Sequence, residues 1–150
     1  MSANLTLYTH PMSRGRTVRW MLEECGATYD TAILDYGTSM KAPDYLAINP
    51  MGKVPALTHG DTVITEAAAI CAYLADLFPD KNLAPPPGSA ARGAYYRWLV
   101  VAAAPLAAAC VGKLVGQLAT PAQASTVGYG SYAQAMDTLE FAITQGTPYL

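Results

Sequence analysis

Charged side chains are scarce in this sequence: nine Lys and Arg and eleven Asp and Glu, 13% of 150 residues, with a formal charge of −2. A chain so weakly and evenly charged offers no basic footprint for a phosphate backbone, so no nucleic-acid partner is expected. Histidine is rarer still, with two in all, and the three cysteines (Cys25, Cys71, Cys110) lie far apart with no CxxC pair. That donor set argues against a metal site, and an odd number of scattered cysteines against a disulfide framework. A reducing, cytoplasmic setting fits this usage. A membrane-length apolar run is also missing. The longest uncharged apolar run, Trp98 to Val111, is interrupted by Pro105 and is shorter than the ~18 residues of a spanning helix. It reads as a buried helix, and no membrane partner is expected. No signal peptide precedes the first strand-like segment, Asn4 to Tyr8. No internal repeat is visible.

What the chain does have is apolar mass, 52% of its residues, which is the balance of a globular protein. Its length allows one good core or two small ones. Leu5 and Leu7 alternate with polar neighbours, which predicts a strand over Asn4 to Tyr8. Pro11 stops it, and Ser13 is the expected N-cap of a helix from Arg14 to about Cys25. On that helix Val18, Met21, Leu22 and Cys25 share a face, and Gly26 closes the end. Tyr29 to Leu34 reads as a second strand, followed by loop with one helical turn near Pro43 to Ile48. Val54 to Thr58 and Thr62 to Thr65 form two short β runs joined by His59-Gly60-Asp61, a hairpin signal. A helix is expected from Glu66 to Phe78, capped by Thr65, with Ala67, Ile70, Cys71, Leu74, Leu77 and Phe78 as its apolar stripe. The order is βαβ, then ββα.

Residues 79–89 contain Pro85-Pro86-Pro87-Gly88 and read as a semi-rigid linker. The composition then turns helical and Ala-rich from Ala90 to Ala119, with a kink expected at Pro105. Thr120-Pro121-Ala122-Gln123 combines a capping box with proline at N1 and predicts the start of a last helix. Met136, Leu139 and Ile143 would be its stripe, with Gly128 and Gly130 weakening its first half by ~1 kcal/mol each.

Three segments carry chemistry. In Asn49-Pro50-Met51-Gly52-Lys53-Val54-Pro55-Ala56-Leu57, Pro55 stands at the mouth of a β run. A cis Val54–Pro55 bond would leave the Val54 N–H and C=O facing a groove, ready to pair with an extended peptide as an added strand. An ordinary trans proline opening an edge strand is the alternative. In Thr65-Glu66-Ala67-Ala68, Glu66 occupies a helix N-terminus, where N–H groups favour a carboxylate, either its own or a ligand's. Tyr8-Thr9-His10-Pro11-Met12-Ser13-Arg14-Gly15-Arg16 is a strand-to-helix junction rich in hydroxyls, whose donors could stabilise a thiolate. Ser13 as a mere cap is the plainer reading. His10 could touch a substrate but reads better as a solvent-facing loop residue, and His59 as an exposed turn residue. Arg14 and Arg16 could favour an anionic ligand or simply solvate the first turn of their helix.

Together these segments resemble the glutathione S-transferase family, of the bacterial kind. The matching pieces are Ser13-Arg14 before a helix ending Leu22-Glu23-Glu24, then Asn49-Pro50 through Leu57, then Thr65-Glu66-Ala67 with Ala72-Tyr73-Leu74. They match in order and spacing over about Leu5 to Phe78. The resemblance implies a thioredoxin-like α/β domain over residues 1–78, the linker at 79–89, and a partial, truncated all-α domain over 90–150. It implies a cis Pro55 and glutathione as co-substrate, with no tightly bound cofactor and no metal. The Val54 backbone would pair with the cysteinyl part, Glu66 and Ala67 would meet the γ-glutamyl end, and Lys53 would pair with the glycyl carboxylate. Ser13 would face the sulfur as the catalytic group. Tyr8 is its rival, and Thr9 and Arg14 line the same loop. Two departures stand out. Ala67 replaces the usual serine, removing a hydroxyl but not the backbone N–H. The chain also stops where relatives continue into a further helix, so much of the second-substrate wall is missing. The activity implied is a glutathione transferase acting on a small electrophile, as a homodimer. A glutathione-dependent peroxidase or disulfide reductase on the same scaffold, and a non-catalytic binding module, are the alternatives.

Overall fold

The computed structural model describes residues 4–144. The chain divides into two compact units, the first ending at Leu83 and the second beginning at Ala84.

In the first unit, β1 (Leu5–Thr9), α1 (Gly15–Cys25), β2 (Asp30–Ile33), α2 (Pro43–Ile48), β3 (Ala56–His59), β4 (Thr62–Thr65) and α3 (Ala67–Leu77) follow in that order. The sheet order is β2-β1-β3-β4. β1 runs parallel to β2, as a strand–helix–strand crossover requires, and β3 is antiparallel to both β1 and β4. This is the thioredoxin-like arrangement expected from the sequence. Alternation along β1 sends Leu5 and Leu7 to one face, where they meet Val18, Leu22 and Cys25 of α1, Leu57 of β3, and Ile70 and Leu74 of α3. Removing any one of these leucines should cost ~2–5 kcal/mol. Tyr8, on the opposite face, joins Met40, Tyr45 and Ala56 in a second cluster beneath α2. The β3–β4 hairpin turns at Gly60-Asp61, with Gly60 at φ +56°.

Helix ends differ from expectation by a residue or two, and in two places the cause is chemical. α1 begins at Gly15 rather than Arg14, so Arg14 and not Ser13 is its N-cap, and Ser13 Oγ accepts the Gly15 N–H from one residue further out. α3 begins at Ala67: Glu66, not Thr65, is its N-cap, at φ +66°, and no side chain caps the helix.

In the second unit the backbone is helical from Ala90 to Leu114, as α4 (Ala90–Val101), a π turn (Ala102–Leu106) and α5 (Ala107–Leu114). Pro105 sits within the π turn. A proline lacks the N–H for the regular ladder and crowds the carbonyl four residues back, and the wider turn relieves both defects. The kink expected there is this π turn. Buried Arg92 anchors the start of α4, its Nη1 donating to the Pro85 carbonyl at 2.8 Å with Tyr95 and Tyr96 rings 5.0 Å from the guanidinium. The sequence reading of a buried apolar helix is corrected. Arg92 and Ala109 are its buried residues in α4 and α5, and the stretch Ala90–Leu114 is long and apolar enough to cross a membrane by length and composition.

The last helix also starts later than expected. The capping box at Thr120 and Gln123 forms, with Thr120 N–H donating to Gln123 Oε1 at 3.0 Å, but it opens only a short 3-10 turn, Pro121–Gln123. Gly130 adopts φ +64° and breaks the run. A second box then forms: Ser131 N–H donates to Gln134 Oε1 at 2.9 Å, and Gln134 N–H to Ser131 Oγ at 3.1 Å. It starts α6 (Tyr132–Thr144).

Candidate functional site

Strand register gathers the three chemical segments at one end of the sheet. Tyr8 pairs with Ala56, and Ala56 pairs with Thr65, so these residues form one row across β1, β3 and β4. The residues just beyond the row are Thr9 and His10 on one strand, Val54 and Pro55 on the next, and Glu66 and Ala67 on the third. Segments separated by up to fifty-odd positions in sequence therefore share an edge.

The Val54 segment is held by its own side chains. The Lys53 carbonyl accepts from Tyr45 Oη at 2.6 Å and from Asn49 Nδ2 at 2.8 Å, and Asn49 Oδ1 accepts the Met51 N–H at 3.1 Å. Burial raises the Tyr45 hydroxyl's pKa, so it remains a donor. Gly52 is at φ +56°, and a Cβ there would lie 2.6 Å from the Met40 carbonyl oxygen, so only glycine fits. The Val54–Pro55 peptide bond is cis. Among the described residues the Val54 backbone N–H and C=O have no hydrogen-bond partner. Lys53 is exposed. Lys41, which sequence reasoning passed over, donates from Nζ to the Met51 carbonyl at 2.9 Å and so stands beside the same loop. Its role has no local signature, because ten residues separate the two in sequence.

At the strand-to-helix junction Ser13 is the centre of a small network. Its Oγ donates to the His10 carbonyl at 2.7 Å and accepts the Gly15 N–H at 3.0 Å, while its own N–H also donates to that carbonyl at 2.9 Å. Thr9 is buried against Gly15, where a Cβ would collide with the Thr9 and Ser13 hydroxyls. His10 is built into the loop: its Nδ1 accepts the Met12 N–H at 3.1 Å, and its ring lies 4.5 Å from that of Tyr36. Tyr8 packs its ring 5.6 Å from Tyr45, and its hydroxyl has no hydrogen-bond partner among the described residues. Arg14 is exposed at the helix start. His59 is not the free turn residue expected. It is half-buried and shares a 2.6 Å hydrogen bond with the Tyr73 hydroxyl, tying β3 to α3.

Glu66 combines exposure with a left-handed backbone, a conformation that costs a non-glycine residue ~1–3 kcal/mol. That geometry places it at the head of α3, where the first-turn N–H groups have no capping side chain and no acidic side chain follows. Cys25 is in the core between α1 and α3, and burial pushes the Cys71 thiol up to about 11.

The sequence and the fold have close counterparts. The family model "Glutathione S-transferase, N-terminal domain" matches residues 3–76. Glutathione S-transferase 3 of Zea mays is 36% identical over 101 residues, 66% of this chain and 46% of that protein. A glutathione transferase from Methylococcus capsulatus superposes with a TM-score of 0.74 at 28% identity, covering 97% of this chain and 72% of that one. A glutathione transferase homologue from Sulfitobacter, solved with bound glutathione, has a TM-score of 0.63 at 32% identity, covering 95% and 68%. The matched region spans less than half the length of these curated relatives, 32% and 46% for two of them. A shared fold over nearly the whole chain and matching sequence across its first half lead to one conclusion: the chain belongs to the glutathione S-transferase family.

Proposed function

We propose that the chain binds glutathione at the Val54–Glu66 edge and activates its thiol for attack on small electrophiles. The observation that carries this reading is the common row of Tyr8, Ala56 and Thr65, which aligns an unpaired backbone, an open helix N-terminus and a hydroxyl-bearing loop. The Val54 N–H and C=O suit the cysteinyl unit of an extended tripeptide. Glu66 and the Ala67 N–H suit the γ-glutamyl end, with a carboxylate at the head of α3 and an ammonium against Glu66. Lys53 and Lys41 suit the glycyl carboxylate. That the Sulfitobacter relative was solved with bound glutathione supports glutathione as the ligand.

Ser13 is the leading thiol-activating group. Lowering a thiol from ~8.5 by about two units needs ~2.7 kcal/mol of preference for the anion. Turning the Ser13 hydroxyl from the His10 carbonyl to a thiolate exchanges a neutral hydrogen bond of ~0.5–1.5 kcal/mol for a charged one of ~1.5–3 kcal/mol. The His10 carbonyl keeps the Ser13 N–H, so nothing is orphaned. The head of α1 adds ~0.3–1 kcal/mol. The reaction needs no metal and no resident cofactor, and a homodimer formed through the second unit completes the reading. Calorimetry should show saturable glutathione binding, weakened about tenfold or more in Glu66→Ala. Folded protein giving no heat at millimolar glutathione would refute it.

A further inference from the structure

The peptide unit between Lys53 and Val54 is trans, since Val54–Pro55 is the cis bond among the described residues. Its C=O, from Lys53, and its N–H, from Val54, therefore point in opposite directions out of one rigid plane. The carbonyl accepts two hydrogen bonds, as many as its lone pairs allow: one from Tyr45 Oη on α2 at 2.6 Å, the other from Asn49 Nδ2 just past the end of α2 at 2.8 Å. Both donors are buried, Tyr45 at 4% exposure and Asn49 at 5%, so water competes little for the carbonyl. The Tyr45 ring is seated with Met40, Ala56 and Tyr8. Packing in that cluster uses the ring, while the hydroxyl reaches the Lys53 carbonyl. With the carbonyl held toward α2, the Val54 N–H faces the other way, and it has no partner among the described residues. Two donors on a carbonyl also polarise the amide and strengthen its N–H as a donor.

We propose that Tyr45 is a positioning residue for glutathione: its hydroxyl fixes the peptide plane whose opposite end, the Val54 N–H, donates to the cysteinyl carbonyl of the tripeptide. The proposal rests on the glutathione reading above and assigns a residue that acts through Val54. The Val54 contact is the same before and during the reaction at sulfur. Tyr45 therefore sets how tightly glutathione is held and not how readily its thiol ionises.

The test is Tyr45→Phe, which keeps the ring and leaves the Lys53 carbonyl its bond from Asn49. Calorimetry should show glutathione held about three- to tenfold more weakly. With chlorodinitrobenzene as electrophile, KM for glutathione should rise by the same factor, while kcat and the pKa of the bound thiol stay unchanged. Unchanged affinity, or a loss carried by kcat or by a raised thiol pKa, would overturn the proposal. A second readout needs no glutathione. In the ligand-free protein the Val54 amide proton, followed by NMR, should move upfield in Tyr45→Phe as its donor weakens. An unmoved Val54 resonance in the folded variant refutes the clamp. A shifted one supports it even if the parent chain binds no glutathione, a result that would refute the functional reading alone. Should Tyr45→Phe fail to fold, Asn49→Ala removes the other donor from the same carbonyl, and both readouts should move in the same directions.

Discussion

Glu66 shows how a proposed binding residue and a stable backbone pull in opposite directions. Its φ of +66° suits glycine, so Glu66→Gly should relieve strain and raise stability by about 1 kcal/mol while weakening glutathione binding. Thermal melts and calorimetry on one variant check both halves, and lower stability would mean the backbone is not strained. The choice between Ser13 and Tyr8 is also open to measurement. Ser13→Ala should raise the pKa of the bound thiol by about one unit, read from thiolate absorbance, and Tyr8→Phe should leave it nearly unchanged. If neither moves it, Thr9 or backbone donors hold the sulfur. Much of this edge was legible in the sequence, because Val54-Pro55 and Thr65-Glu66-Ala67 are contiguous motifs. The positive φ of Glu66 was not, since only glycine and asparagine advertise that conformation. Nor was Lys41, whose place depends on the loop's three-dimensional path.

Among the elements, α1 and α3 were readable because their apolar residues recur at helical spacing against a single sheet. α6 was misplaced because two capping boxes compete within fifteen residues. The earlier one has proline at N1, but Gly128 and Gly130 interrupt any helix grown from it, and Ser131 with Gln134 restarts the chain. Repair of that break was invisible without knowing that Gly130 turns left-handed. The loop Pro11-Met12-Ser13-Arg14, where a dithiol oxidoreductase keeps its cysteines, has none. The chain should therefore not reduce insulin with a dithiol donor in the absence of glutathione. Cys71 should resist iodoacetamide until the pH approaches 11, because burial disfavours its thiolate. The sign for stability follows: a thiol whose folded pKa is raised favours the fold below its unfolded value near 9.0, and this contribution is lost as pH rises through about 11. Turnover of insulin by the parent chain alone would contradict this assignment of the cysteines.

At the scale of the whole molecule, the two units differ in how completely they bury what their sequences offer. The first places its leucines between helices and sheet. The second leaves Val100, Ala104, Ala108, Val111 and Val115 exposed, at spacings of three and four along α4 and α5 and just past their end. Leu114 is 84% exposed, and Phe141 and Ile143 of α6 are exposed as well. The sequence showed that this region was apolar all round but not that it would stay uncovered, because periodicity reports which residues seek burial and not what supplies it. Soluble monomers tolerate only a few hundred Å² of contiguous apolar surface. The chain should therefore self-associate through this face, with a light-scattering mass that rises with concentration, and should bind a hydrophobic dye when dilute. Val111→Lys with Val115→Lys should shift the mass toward a monomer and weaken dye binding, while leaving glutathione affinity unchanged because the Val54–Glu66 edge belongs to the first unit. A monodisperse monomer of the parent chain that binds no dye would refute this, since it would require the stripe to be covered by the chain's own residues in solution.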